Sequence, residues 1–358
     1  MLGFSIFLTN ALTDKQIQYI DKMSKCGFKS IFTSLHIPEE DPSVYKERLK
    51  ELGGLAKTYN LELMADISPK SLGHLGFNWE NAEGLLHWGV TGLRVDYGVS
   101  ERTIAQLSHK MKIALNASTL TKESIINLKQ YGINTEMIEA WHNYYPRPET
   151  GLGLENFNEI NRWLKEEGLS IMAFIPGDGE KRGPLYQGLP TLEDHRDQTS
   201  FAAYLDLQDN PWVDKVLIGD PSLSHKSLEQ FLSYQNGIFQ LRSFCLTKDL
   251  SLKEQFSDVQ TNRQDEARDV IRSAESRLYG LPGNHSICAN NTVERSIGSI
   301  TIDNEQYGRY QGEMQITKVS LKADEKVNVI GKVIDEDLPL LNYIKGGDKF
   351  QIKWVDVQ

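Results

Sequence analysis

Eight times between its start and about residue 236 the chain repeats one unit, a short apolar run followed by a segment with helical spacing. The runs fall at residues 2–8, 30–36, 61–68, 92–97, 112–118, 137–143, 170–176 and 215–220. Thr13-Asp14 caps the first helical segment, which carries Ile17, Ile20 and Met23 and stops at Gly27. Others are expected over 43–59, around Ile104, Leu107 and Met111, and over 121–131, 154–167 and 227–234. Eight such units over roughly 235 residues match the size of an α/β fold of the (β/α)8 TIM barrel type. A doubly wound open sheet would show fewer strands and a glycine-rich phosphate turn after the first, and Thr9-Asn10-Ala11-Leu12 is no such turn. The prediction is a catalytic barrel over residues 1–236.

From Gly237 the texture changes. Strand-like runs at 238–246, 299–302, 313–321, 326–334 and 349–355 are separated by turn formers such as Asp303-Asn304 and Gly346-Gly347-Asp348, and only 264–276 reads as a helix. Residues 237–358 are expected to form a small, mainly-β, barrel-like domain that serves as a lid, docking or assembly module.

The net charge of −10 leaves no basic footprint for nucleic acid or an anionic membrane. An anionic substrate would therefore need a local cluster of Arg or Lys. Cys26, Cys245 and Cys288 are odd in number and lack metal-type spacing, as in a reducing compartment. Residues 1–8 have no basic leader, and no apolar run approaches the roughly 20 residues that span a bilayer. A cytoplasmic location, a small-molecule partner, and neither metal nor cofactor are expected; assembly with copies of itself is left open.

Side chains alternate along a strand, and in a barrel the inward set fills the interior or lines the active site at the C-terminal end. Parity turns inward Ser34 and His36, then Glu62, Met64 and Asp66, Arg94 and Asp96, Asn116 and Ser118, and Glu139, Trp141 and Asn143. Asp66, Asp96, Asn116, Asn143 and Asp178 are thus expected at one rim, with Asp220 a further candidate there and Arg94, Glu62 and Glu139 a layer deeper in a buried ion-pair network. Each has a plainer role open to it: Asp66 could cap the Ser68-Pro69 turn, Asp178 and Asp220 could be turn residues, and Glu149 could simply hold Arg147.

Two loops stand out. After the sixth strand, Trp141-His142-Asn143-Tyr144-Tyr145-Pro146-Arg147-Pro148-Glu149-Thr150-Gly151 is stiffened by two prolines and rich in groups that contact substrates. After the seventh, residues 178–196 include Lys181 and Arg182 beside Gly183, and barrels often bind phosphate with late loops. No Lys ends a strand, no paired-His metal motif appears and no Gly-x-Ser-x-Gly elbow is present. Carboxylates beside aromatic rings suit a glycoside hydrolase, with Tyr97, Trp141, Tyr144 and Tyr145 stacking on sugar faces. The alternatives are a sugar-phosphate isomerase or epimerase with a metal on His36, Asp66, Asp96 and His142, and a non-catalytic sugar-binding protein.

The segments Leu2-Gly-Phe-Ser-Ile-Phe-Leu, Asp66-Ile-Ser-Pro, Gly92-Leu-Arg-Val-Asp-Tyr-Gly, Leu115-Asn-Ala-Ser-Thr, His142-Asn-Tyr-Tyr-Pro-Arg-Pro-Glu-Thr-Gly, Ala173-Phe-Ile-Pro-Gly-Asp, Arg182-Gly-Pro-Leu-Tyr and Ile218-Gly-Asp-Pro together resemble the bacterial 6-phospho-N-acetylmuramidase family. The resemblance covers the whole chain and implies a C-terminal cyclophilin-like domain. It also implies a cytoplasmic enzyme of cell-wall recycling that cleaves N-acetylmuramic acid 6-phosphate from N-acetylglucosamine. Strand geometry, not the resemblance, selects the residues: Asp96 and Glu149 as leading acid/base candidates, then Asp66 and Asp178. Asn116 and Asn143 would bond acetamido or hydroxyl groups, Arg147 and Arg182 the anionic groups, and His142 and Tyr144 other parts of the substrate.

Overall fold

The structure is a computed structural model that describes residues 1–35, 42–95, 98–276 and 286–356. Eight parallel strands close into a barrel in sequence order: β1 Leu2–Ser5, β2 Ser30–Ser34, β3 Glu62–Ile67, β4 Gly92–Val95, β5 Lys112–Asn116, β6 Ile138–Trp141, β7 Ser170–Ile175 and β8 Lys215–Ile218. β8 returns to β1, with Leu217 opposite Gly3. Gly3 has to be glycine, since a Cβ there would lie 2.7 Å from the Ser30 carbonyl oxygen.

Helices follow the strands much as the apolar spacing predicts. Asp14–Lys25 opens on a capping box between Thr13 and Gln16. Pro42–Thr58, Lys122–Gln130, Leu154–Glu166 and His225–Gln235 match expected segments to within two residues at every end. Between β3 and β4 the crossover is a short helix, Pro69–His74, and a 3-10 turn, Ala82–Trp88. Among the described residues no helix is long and apolar enough to cross a membrane.

The barrel interior is filled by Phe32, Met64, Ala114, Trp141, Met172, Phe174 and Leu217, all buried. A large side chain so buried contributes about 1.5–3 kcal/mol. At the N-terminal end of the barrel lies a four-member charge network. Lys215 Nζ donates to Glu62 at 2.5 Å and to Glu139 at 2.7 Å, and Lys112 donates to Glu62 at 2.6 Å and to Glu139 at 3.2 Å. Trp141 Nε1 also donates to Glu139, at 2.6 Å. Burial alone would raise the Glu62 carboxyl, but Lys215 and then Lys112 override it and hold the group at about 2. Glu62 and Glu139 are the buried pair network that parity suggested. Arg94 is not part of it and belongs to the opposite end.

Contacts divide the chain into two compact units, Met1–Leu228 and Glu229–Gln358. The second holds β9 Ile238–Cys245, β10 Val259–Thr261, β11 Val270–Arg272, β12 Ser299–Asp303, β13 Met314–Thr317, β14 Val327–Val333 and β15 Lys349–Val355, in the sheet order β10-β15-β9-β14-β12-β13-β11. The two edge strands meet just past their ends in a bridge of Asn262 with Ser273, flanked by bonds from Arg263 N–H to Arg272 O and from Ala274 N–H to Thr261 O. The sheet therefore curls round on itself, which removes its open edges. The helix expected over 264–276 is absent. Val270–Arg272 is a strand paired with β13, its central Ile271 buried between half-buried neighbours, so period-two burial overrode helix propensity. A short helix precedes this stretch at Leu250–Gln255, capped by Asp249.

Candidate active site

At the C-terminal mouth of the barrel β3, β4 and the loop after β6 bring three polar side chains together. Arg94 Nη1 donates to Asp66 Oδ1 at 3.1 Å, and Arg94 Nη2 donates to Asn143 Oδ1 at 2.5 Å. Ser34 Oγ lies 3.4 Å from the other Asp66 oxygen. The Arg94 and Asp66 side chains are only 7% and 11% exposed, so their attraction is little screened. Arg94 Nε is buried with no partner among the described residues.

Tyr144 extends this group. Its ring packs edge-on against Phe174 at 5.1 Å and Phe32 at 6.5 Å, so it caps the interior plug. Burial raises its hydroxyl pKa; the opposing influences include Arg182, and Asp66 and Arg94 lie close enough to act on it as well. Arg182 Nη1 donates to Tyr144 Oη at 2.6 Å, and its guanidinium lies 3.9 Å from the centre of the Phe7 ring, beyond the end of β1. No carboxylate among the described residues pairs with Arg182, whereas Arg94 and Arg196 each have one.

The loop that carries Arg182 is tied down from two sides. Fully buried Asp220, just past β8, accepts the backbone N–H groups of Gly177 at 2.9 Å, Leu189 at 3.0 Å and Arg182 at 3.1 Å. Burial raises its carboxyl in spite of those donors. Glu193 accepts the N–H of Glu149 at 2.8 Å and of Gly151 at 2.7 Å, and Arg196 bonds both of its oxygens. Arg196 holds Glu193 at about 2, with those two N–H groups assisting. Arg196 also donates to the carbonyls of Tyr145 and Arg147, so the loops after β6 and β7 are bonded to each other.

The expected site residues separate accordingly. Asp66, Asn143, Tyr144 and Arg182 come together at the mouth. Asp96, His36 and Tyr97 lie outside the described residues. Asn116 ends β5 buried, and its Oδ1 accepts the Ser118 N–H at 3.0 Å, an Asx turn. His142 turns away from the mouth: fully buried, it bonds Asn161 at 2.6 Å and stacks on Phe157 at 4.7 Å, both on the helix Leu154–Glu166. Burial lowers its ring pKa to about 4, with Asn161 opposing. It packs against that helix instead of facing the mouth, because one residue past an inward Trp141 strand parity points outward.

Asp178 is likewise a structural anchor. Its oxygens accept Ser224 Oγ at 2.6 Å, Ser227 Oγ at 2.8 Å and the Ser224 N–H at 3.0 Å, so it caps the start of the helix His225–Gln235. Glu149 and Arg147 are exposed on the loop after β6, with Glu149 at φ 70° and its N–H held by Glu193. Neither side chain joins the cluster. Trp141 is fully buried on Glu139 and the Tyr144 ring lies on the plug, so neither presents a face for a sugar. Phe7, Glu193 and Arg196 carry no motif that marks these roles. The one local signal is the spacing of three between Glu193 and Arg196, which suits an ion pair across one turn.

Fold and site together define a (β/α)8-barrel protein with an acid–arginine cluster at its catalytic-end mouth and an appended β unit. Residues 2–233 match the family model described as 6-phospho-N-acetylmuramidase, N-terminal, and residues 244–353 match its C-terminal counterpart. The chain belongs to the 6-phospho-N-acetylmuramidase family. It is similar, at 46% identity over 99% of this chain and 96% of the other and with a TM-score of 0.91, to a solved conserved protein from a locus in Enterococcus faecalis with an unknown function. A solved uncharacterized B. cereus protein is 26% identical over 98% and 99% of the two chains, with a TM-score of 0.73. No curated protein matches.

Proposed function

We propose that this protein is a cytoplasmic glycosidase that cleaves N-acetylmuramic acid 6-phosphate–N-acetylglucosamine into its two sugars as a step in cell-wall recycling. The observation that carries the reading is Arg182: a guanidinium held against Phe7 and Tyr144, on a backbone clamped by Asp220, at the mouth of an acidic protein, with no carboxylate partner among the described residues. An arginine so prepared suits an anionic group of the substrate.

Cleavage needs two carboxyl groups, one to protonate the leaving oxygen and one to stabilise or attack the oxocarbenium-like centre. Asp66, paired with Arg94, suits the second role, since the pairing favours a negative charge ready for a developing positive one. Asp96, which strand parity turns inward, takes the role of acid in this reading. The test is incubation of wild type, Asp66→Asn and Asp96→Asn with the phosphorylated and unphosphorylated disaccharides, with products weighed by mass spectrometry. Only the phosphorylated form should be cleaved, and each variant should slow turnover by about 10²–10⁴-fold. Equal cleavage of both disaccharides would remove the anion site from the reading, and full activity in Asp66→Asn would remove Asp66.

A further inference from the structure

Arginine has donors only, so every bond it makes fixes the polarity of its partner. Arg182 donates to Tyr144 Oη at 2.6 Å, so the oxygen is the acceptor and the phenolic proton must go elsewhere. The ring cannot turn to offer another edge, being held against Phe174 and Phe32. A phenol O–H stays near the ring plane; with Arg182 on one side of the oxygen, the proton is left on the other. Arg94 imposes the same polarity on the preceding residue, because its bond at 2.5 Å requires Asn143 to turn Oδ1 toward it and leaves the amide Nδ2 free to donate.

We infer that Tyr144 is a specificity-determining contact that gives its hydroxyl proton to the same anionic oxygen group that Arg182 pairs with. The inference rests on the reading of Arg182 as the anion site and replaces the expected ring stacking with a single directed bond. The deprotonated oxygens of a phosphate or carboxylate present only acceptors there, whereas a sugar hydroxyl would have to spend its own proton elsewhere. Tyr144 supplies a neutral donor beside the guanidinium, which adds a charge-assisted bond without adding charge.

Titration calorimetry of the full chain with inorganic phosphate tests this. Tyr144→Phe keeps the ring packing and removes only the hydroxyl; its thermal unfolding beside wild type checks that the fold is intact. Tyr144→Phe should weaken phosphate binding about tenfold, the size of one hydrogen bond to a charged group. Arg182→Met should weaken it further, and the double variant should bind more weakly than Arg182→Met alone. Phosphate binding equal to wild type in Tyr144→Phe overturns the inference. So does a double variant no weaker than Arg182→Met, which would mean that Tyr144 merely holds the arginine, and so does a wild type that binds no phosphate. Phosphate binding without disaccharide cleavage would instead sink the proposed hydrolysis and leave this contact standing.

Discussion

Replacing Lys215 by Met would keep most of the buried stem but remove the ammonium that serves both Glu62 and Glu139. Lys112, 29% exposed, would then face two carboxylates alone at the base of the barrel. Two routes give the cost. Removing one partner of a buried ion pair costs about 3–5 kcal/mol because the other charge stays buried. A Glu62 carboxyl held at about 2 rather than at its ordinary 4.5 is worth about 3 kcal/mol to the folded state. At about 2–4 °C per kcal/mol for a unit of this size, the barrel should melt roughly 6–20 °C lower at pH 7. The sign of the pH dependence follows from the same value. A depressed carboxyl stabilises above its unfolded pKa and loses that contribution as pH falls from 4.5 toward 2, so the gap between wild type and Lys215→Met should narrow over that window. Five of the six tryptophans, including Trp141 on the network, lie in the barrel unit, so fluorescence-detected urea unfolding at pH 7 and pH 3 reports it. A loss under about 1 kcal/mol at pH 7, or a gap unchanged at pH 3, would refute the coupling of burial to charge pairing assumed here.

Asp220→Ala would strip two buried N–H groups and one partly buried N–H group of their acceptor and should cost about 3–5 kcal/mol. Limited proteolysis should then cut the 178–188 loop far faster than in wild type. His142, neutral down to about 4 in the folded state against an ordinary 6.5, makes the protein lose stability as pH falls between those values, because the unfolded chain takes up the proton first. His142→Phe should abolish that part of the acid slope, about 3 kcal/mol by pH 4, in chemical denaturation across pH 4–7. An acid slope unchanged in the variant would show that the ring is not buried uncharged.

Much of the barrel was legible in the sequence because each strand needs only a local pattern, and parity alone put Met64, Asp66, Trp141 and Asn143 inside. Parity does not say at which level a long side chain ends. Arg94 was therefore grouped with Glu62 and Glu139, although its guanidinium meets Asp66 and Asn143 at the other pole. Asp178 shows the other limit. A Gly-Asp-Gly turn reads the same whether the carboxylate faces a ligand or Ser224 and Ser227, and the choice depends on residues 46 and 49 positions away. Glu149 failed similarly, since Glu193, 44 positions on, decides which way its turn opens. In the second unit, 264–276 combined good helix formers with a three-residue strand, too short for its alternation to stand out.

The bonds that join the loops after β6 and β7 through Glu193 and Arg196, and the β7 loop to the end of β8 through Asp220, carry a consequence for how such a protein can change. An insertion or exchange in one of these segments breaks bonds made by another, so a third of the rim can only be transplanted between relatives as one cassette. New substrate preferences that depend on this arc would have to arise by concerted change across its segments, since each is constrained by its neighbour's history.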